Sequence, residues 1–223
     1  MSEVNLRTLA VIALKGGSGK TTVATHLALA AHLRGVDTLV VDTDPQNSAR
    51  DILSAREAPG PDYVTATGRN VLAAQFGALA QRKGLMIIDT PAGAVETVSE
   101  AIVVADHALM VVRPTLIDLS GLARTLTLVR RLGKAYTVVM NQAPVAREDV
   151  EPPLVKRALK GLAYMQVPLA PVILRSRSVY QTALERGRSA EEMSDRAAAG
   201  EIAALWDFMD SRLMGRTEVA ETS

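Results

Sequence analysis

Short runs of apolar residues recur along this chain, separated by segments in which apolar positions return every three or four residues. Thr8–Leu14, Thr38–Val41, Leu85–Ile88, Leu109–Val112 and Ala135–Met140 are apolar without alternation, the pattern of strands covered on both faces. Thr21–Leu33, Leu72–Lys83 and Leu119–Leu132 have helical spacing. Val23, Leu27, Ala30 and Ala31 share one side of the first, and Gly35 and Gly84 stop the first two. Strands alternating with helices in this way predict an α/β fold, a mostly parallel central sheet flanked by helices on both faces. Leu53–Arg69, with Pro59, Gly60 and Pro61, reads as a surface excursion. Ala143–Pro153 reads as a loop before a helix near Leu154–Leu162, and Pro168 and Pro171 bracket an expected exposed turn. A terminal helix is expected over about Asp195–Met214. The pattern predicts one domain over residues 1–215 and a flexible tail over 216–223.

Composition narrows the chemistry. With 223 residues and 48% hydrophobic content the chain can bury a sizeable core, which excludes a wholly disordered protein. Lys plus Arg is 25 against Asp plus Glu at 24, so any nucleic-acid surface must be a local patch. The absence of Cys excludes disulfides, iron–sulfur clusters and thiol nucleophiles, and three scattered histidines argue against zinc. The first apolar run stops at Lys15, unlike a secretory signal, and no run approaches the length of a membrane span. A soluble cytoplasmic protein is the expectation.

The first strand leads into Lys15-Gly16-Gly17-Ser18-Gly19-Lys20-Thr21-Thr22 and then a helix. Glycines let backbone N–H groups close around phosphate oxygens, and the helix N-terminus adds oriented donors. Lys20 is then placed for the β- and γ-phosphates and the Thr21 hydroxyl for Mg²⁺. The general phosphate-loop pattern has Gly where this chain has Leu14. A self-contained loop has no need of a second lysine, so Lys15 stands out as a positive charge for nucleotide phosphates, including those held by a partner subunit.

Asp42 and Asp44 follow the second strand, and Asp89 ends the Leu85–Ile88 strand. The carboxyl ends of parallel strands are where such sheets bind ligands. Asp42 suits a Mg²⁺-bound water, Asp44 the attacking water, and Asp89 the metal or the Thr21 hydroxyl. Gly93 is a candidate N–H donor to a γ-phosphate. Asn141 ends the Ala135–Met140 strand, and its amide offers adenine both a donor and an acceptor.

These residues resemble the ParA/MinD family of deviant Walker A ATPases, most closely its short, ParF-like plasmid-partition members. The resemblance is specific over residues 15–22, 42–46 and 89–93 and weaker after Asn141. It implies a P-loop NTPase-type fold that binds and hydrolyses ATP with Mg²⁺. Lys15 falls at the family's signature lysine, Lys20 at the phosphate-loop lysine and Thr21 at the magnesium-side threonine. Asp42 and Asp44 fall at the first switch, Asp89 at the second acidic motif and Asn141 at the adenine-side asparagine. It further implies an ATP-dependent homodimer in which Lys15 reaches across to the other subunit.

Zero Cys excludes the family's iron-protein and cluster-scaffold members. A membrane-positioning relative should end in a basic amphipathic helix. Here Ile202, Leu205, Trp206, Met209 and Leu213 form a stripe, but Glu201, Asp207 and Asp210 accompany it, so packing on the sheet is the simpler account. Arg175, Arg177, Arg186 and Arg188 lie close in sequence against one acid, Glu185, and Arg124, Arg130, Arg131 and Lys134 form a second basic segment. Arginines without a base-reading element predict nonspecific double-stranded DNA binding through phosphates. The resemblance implies plasmid partition on the nucleoid with a small centromere-binding adaptor of ParG or ParB type. Positioning of a protein cargo (a chemotaxis cluster or microcompartment), or a MinD-like division-site role, stands as the alternative.

Overall fold

The computed structural model describes residues 5–67, 70–148 and 150–214. In chain order the elements are β1 (Arg7–Ile12), α1 (Lys20–Leu33), β2 (Thr38–Asp42), α2 (Ser48–Ser54), β3 (Asp62–Thr65), α3 (Asn70–Ala80), β4 (Leu85–Asp89) and α4 (Val95–Val104). They continue with β5 (His107–Val112), α5 (Leu116–Arg131), β6 (Ala135–Ala143), α6 (Pro153–Tyr164), β7 (Leu169–Arg175), α7 (Val179–Leu184), a 3₁₀ turn at Ala190–Glu192 and α8 (Arg196–Met214). The seven strands form one sheet in the order β3-β2-β4-β1-β5-β6-β7, and every pairing is parallel.

Strand side chains alternate between two cores, which is why the central strands read as unbroken apolar runs. Leu9, Val11, Leu85 and Ile87 face α1, α2, α7 and α8. Ala10, Ile12, Met86 and Ile88 face α3, α4, α5 and α6. The α8 stripe of Ile202, Leu205, Trp206, Met209 and Leu213 is at most 5% exposed and belongs to the first core, as its acidic companions suggested.

Two strands depart from the sequence expectation, both at sheet edges. β3 lies inside the expected surface excursion; all four of its residues are exposed, so no apolar periodicity marks it. β7 occupies the expected Pro168–Pro171 turn, and Pro171 is tolerated because an edge strand has one side free of ladder hydrogen bonds. The expected tail over 216–223 lies outside the described residues.

Candidate active site

β1 ends just before the glycine-rich turn and α1 begins at Lys20, so the turn joins a buried strand to a helix N-terminus. Gly17 and Gly19 have φ of 76° and 87°, values that favour glycine. A Cβ at Gly19 would also collide with the Asn141 amide. Asn141 Nδ2 donates to the Ser18 carbonyl at 2.8 Å, and Gln142 Nε2 reaches the Gly17 carbonyl at 3.3 Å. In this state Asn141 therefore braces the phosphate loop from the end of β6. Lys20 is buried; desolvation lowers its pKa, and the Asp89 and Asp44 charges oppose that fall.

Parallel register lines up the acids. Asp89 is the ladder partner of both Asp42 and Val11, so two carboxylates sit side by side where β2 and β4 end. Asp89 is fully buried, and neither of its oxygens has a hydrogen-bond partner among the described residues. Burial pushes its pKa up to about 7, with Asp42 and Asp44 adding to the rise and Thr21 and Lys20 opposing it. A buried, unpartnered carboxylate is costly unless a cation meets it. Asp89 beside Thr21 therefore fits Mg²⁺. Among the described residues no three His, Cys, Asp or Glu side chains cluster as a protein-only metal cage. That suits Mg²⁺, which takes one or two carboxylates and completes its shell with phosphates and water.

Asp42 accepts the backbone N–H groups of Asp44 and Arg50, both at 3.0 Å, so it also anchors the start of α2. Burial raises its pKa and those amides oppose the rise. Asp44 is half-buried, accepts from Gln46 N at 3.0 Å and lines a cleft with Asp42, Asn47, Thr65 and Asn70. Thr22 lies in the first turn of α1, next to Thr21. The Gly93 N–H is engaged by the Leu14 carbonyl at 2.9 Å, so a bond to a γ-phosphate requires that contact to exchange.

Lys15 does not turn into the loop. Its Nζ lies 2.6 Å from Asp118 Oδ1, a partner that sequence reasoning missed. Burial works against the ionised form of Asp118, but Lys15, Thr115 and Arg113 outweigh it and its pKa falls. The signal available was Arg113, a charge at the carboxyl end of an apolar strand, the same placement that marked Asp42 and Asp89.

The expected four-arginine surface divides. Arg175 forms a two-nitrogen pair with Glu151 and reaches the Pro144 carbonyl, and Arg177 pairs with Glu201 at 2.9 Å. Those two charges are balanced within the fold. Arg186 and Arg188 are exposed and make no ion pair among the described residues. In the second basic segment, Arg124 and Arg131 are exposed, Arg130 lies over Tyr136, and Lys134 donates to the Val103 and Ala105 carbonyls at the end of α4.

Known proteins share this fold. The chain is 24% identical over 200 residues to the maintenance of carboxysome distribution protein A of Halothiobacillus neapolitanus, covering 87% of this chain and 92% of that protein. Its structure resembles apo McdA of Cyanothece, with a TM-score of 0.78 and 18% identity over 92% of this chain and 100% of that one. An ATP complex of a variant of the same protein gives 0.74 and 18% over 97% and 99%. The septum site-determining protein MinD of Pyrococcus horikoshii, complexed with Mg-ADP, also gives 0.74 and 18%, over 96% of this chain and 100% of that one. Residues 9–189 match the family described as the CobQ/CobB/MinD/ParA nucleotide binding domain. That span contains the phosphate loop, both acidic strand ends and Asn141, and so the chain belongs to this family as an ATPase of the phosphate-loop type, with Mg-ATP as its cofactor.

Proposed function

We propose that this ATPase positions a protein-built cargo, of the microcompartment class, over DNA with the help of an adaptor protein. The observation that carries the cargo is the match to nearly the whole length of a carboxysome distribution protein. It favours a protein cargo over the plasmid expected from the sequence. A membrane-bound division-site role is disfavoured because the α8 stripe is already buried in the core, and no helix among the described residues is long and apolar enough to cross a membrane.

The residues divide the work as follows. Loop N–H groups and Lys20 bind the phosphates, and Thr21, Asp89 and Asp42 hold the metal side. Mg²⁺, when bound, neutralises phosphate charge during transfer to water. Asp44, half-buried at the cleft, orients the attacking water. Lys15 leaves Asp118 to meet the partner subunit's nucleotide, which ties dimerisation to ATP. Asn141 serves the adenine side and braces the loop. DNA contact falls to Arg186 and Arg188 together with the acid-free helix α6, where Lys156, Arg157 and Lys160 are exposed; α6 packs against α5, which carries the exposed Arg124 and Arg131. Phosphate contacts of this kind are nonspecific and salt-sensitive.

The test is deletion of the gene in its native host, with shell-bounded protein assemblies and plasmids both tagged. Clumped or unevenly inherited assemblies with plasmids retained are expected. Plasmid loss with assemblies still evenly spaced would overturn the cargo assignment.

A further inference from the structure

β5 ends at Val112, and the next residue, Arg113, stands at the same sheet edge as Asp42 and Asp89. Its Nε and Nη2 donate to the two oxygens of Asp118 at 2.9 and 3.3 Å. Its third nitrogen, Nη1, has no acceptor among the described residues and lies 3.7 Å from where a Cβ would stand on Gly17. Gly17 is exposed on the outer turn of the phosphate loop, and its lack of a side chain leaves the guanidinium a clear approach to the loop.

Asp118 is 3% exposed, yet it holds two cations whose side chains are about ten times as exposed, Lys15 at 34% and Arg113 at 30%. Thr115 donates to one of its oxygens and accepts the Asp118 N–H, which fixes the carboxylate at the start of α5. A purely structural ion pair needs one cation. Two on one carboxylate leave a net positive charge at the lip of the loop, next to the positive ends of α1 and α5.

We propose that Arg113 is a second phosphate-contacting cation of the ATPase site, directed at the terminal phosphate of a nucleoside triphosphate, and that Asp118 is the positioning residue that presents Arg113 and Lys15 together. The inference rests on the Mg-ATP chemistry assigned above. Asp118 occupies two edges of the guanidinium, which sets its plane and leaves Nη1 for a phosphate oxygen. The arrangement also accounts for how Lys15 is released. If Lys15 were the sole cation on Asp118, its departure would strand a buried carboxylate, a costly outcome. With Arg113 still bridging both oxygens, Asp118 stays paired while Lys15 moves.

The experiment titrates the original protein, Arg113→Ala, Arg113→Lys and Asp118→Asn calorimetrically with Mg-ADP and with a Mg-bound, non-hydrolysable ATP analogue. Arg113→Ala should weaken the analogue about tenfold while Mg-ADP stays within about twofold, since only the terminal phosphate loses a charge-assisted bond. Arg113→Lys should recover part of the loss. Asp118→Asn, which loosens both cations, should also lower analogue affinity more than Mg-ADP affinity. Should Arg113→Ala fail to fold, Arg113→Gln carries the same comparison. Equal losses for the two nucleotides would reduce Arg113 to a structural clamp and overturn the proposal, as would no loss at all. An original protein that bound neither nucleotide would instead strike the Mg-ATP assignment and this inference with it.

Discussion

Replacing Asp89 with Asn should stabilise the nucleotide-free, metal-free protein at pH 8. Asp89 is fully buried, and among the described residues no hydrogen bond reaches its carboxylate. Its pKa stands at about 7 in the fold against 3.8 for an ordinary Asp. That is a rise of about three units, and at about 1.4 kcal/mol per unit its ionised form costs the fold up to about 4 kcal/mol. The sign follows from proton linkage. Below about pH 4 the group is protonated in both folded and unfolded chains and costs nothing. Between about pH 4 and pH 7 the unfolded chain releases the proton first, so stability falls as pH rises; above about pH 7 the full penalty applies.

His26 and His107 act against this trend. Burial lowers both pKa values to about 4, so they withdraw stability as pH falls from about 6.5 towards 4. The pH profile of the original protein alone is therefore ambiguous, and the difference between original and variant isolates Asp89. Urea denaturation at pH 5 and pH 8, in chelator and without nucleotide, should show Asp89→Asn gaining by about 1–4 kcal/mol more at pH 8 than at pH 5. Adding Mg-ATP should reverse the order, since binding to the folded state stabilises only a protein that still holds the metal. A variant no more stable than the original at pH 8 would refute the desolvated-carboxylate reasoning and with it the structural case for the metal position.

Asp44→Ala should retain ATP binding and lose about tenfold or more in turnover at saturating ATP, because a contact made in the transition state is removed; unchanged turnover in a phosphate-release assay would move the water to another residue. The two arginine pairs should separate by assay. Arg186→Ala with Arg188→Ala should weaken ATP-dependent DNA binding and flatten its salt dependence, whereas Arg175→Ala, which strands Glu151, should lower the unfolding midpoint first. Equal DNA-binding losses from both replacements would restore the four-arginine surface.

What depends on neighbours along the chain can be read from the order of residues. Lys15–Thr22 is legible because a strand, a glycine turn and a helix N-terminus suffice to build a phosphate cradle, and all three are contiguous. The buried strands were legible because burial on both faces leaves an unbroken apolar run, and α1, α3, α5, α6 and α8 because an apolar stripe recurs along them, whereas α2, α4 and α7 were not marked. Edge strands lack that signal, so β3 and β7 escaped: one is exposed throughout and the other contains a proline that only an edge accepts. Which distant residues meet is set by the order of strands and the packing of helices on them. The order β2-β4-β1-β5 sets Asp42 against Asp89 and brings Arg113 and Asp118 up to the loop. It also decided which charges remain available. Arg175 and Arg186 look alike in sequence, but Glu151 reaches the first and no acid pairs with the second among the described residues. A charge is a property of a residue, whereas its neutralisation depends on separation in space, and Coulomb attraction at a few ångströms is set by how helices and strands pack.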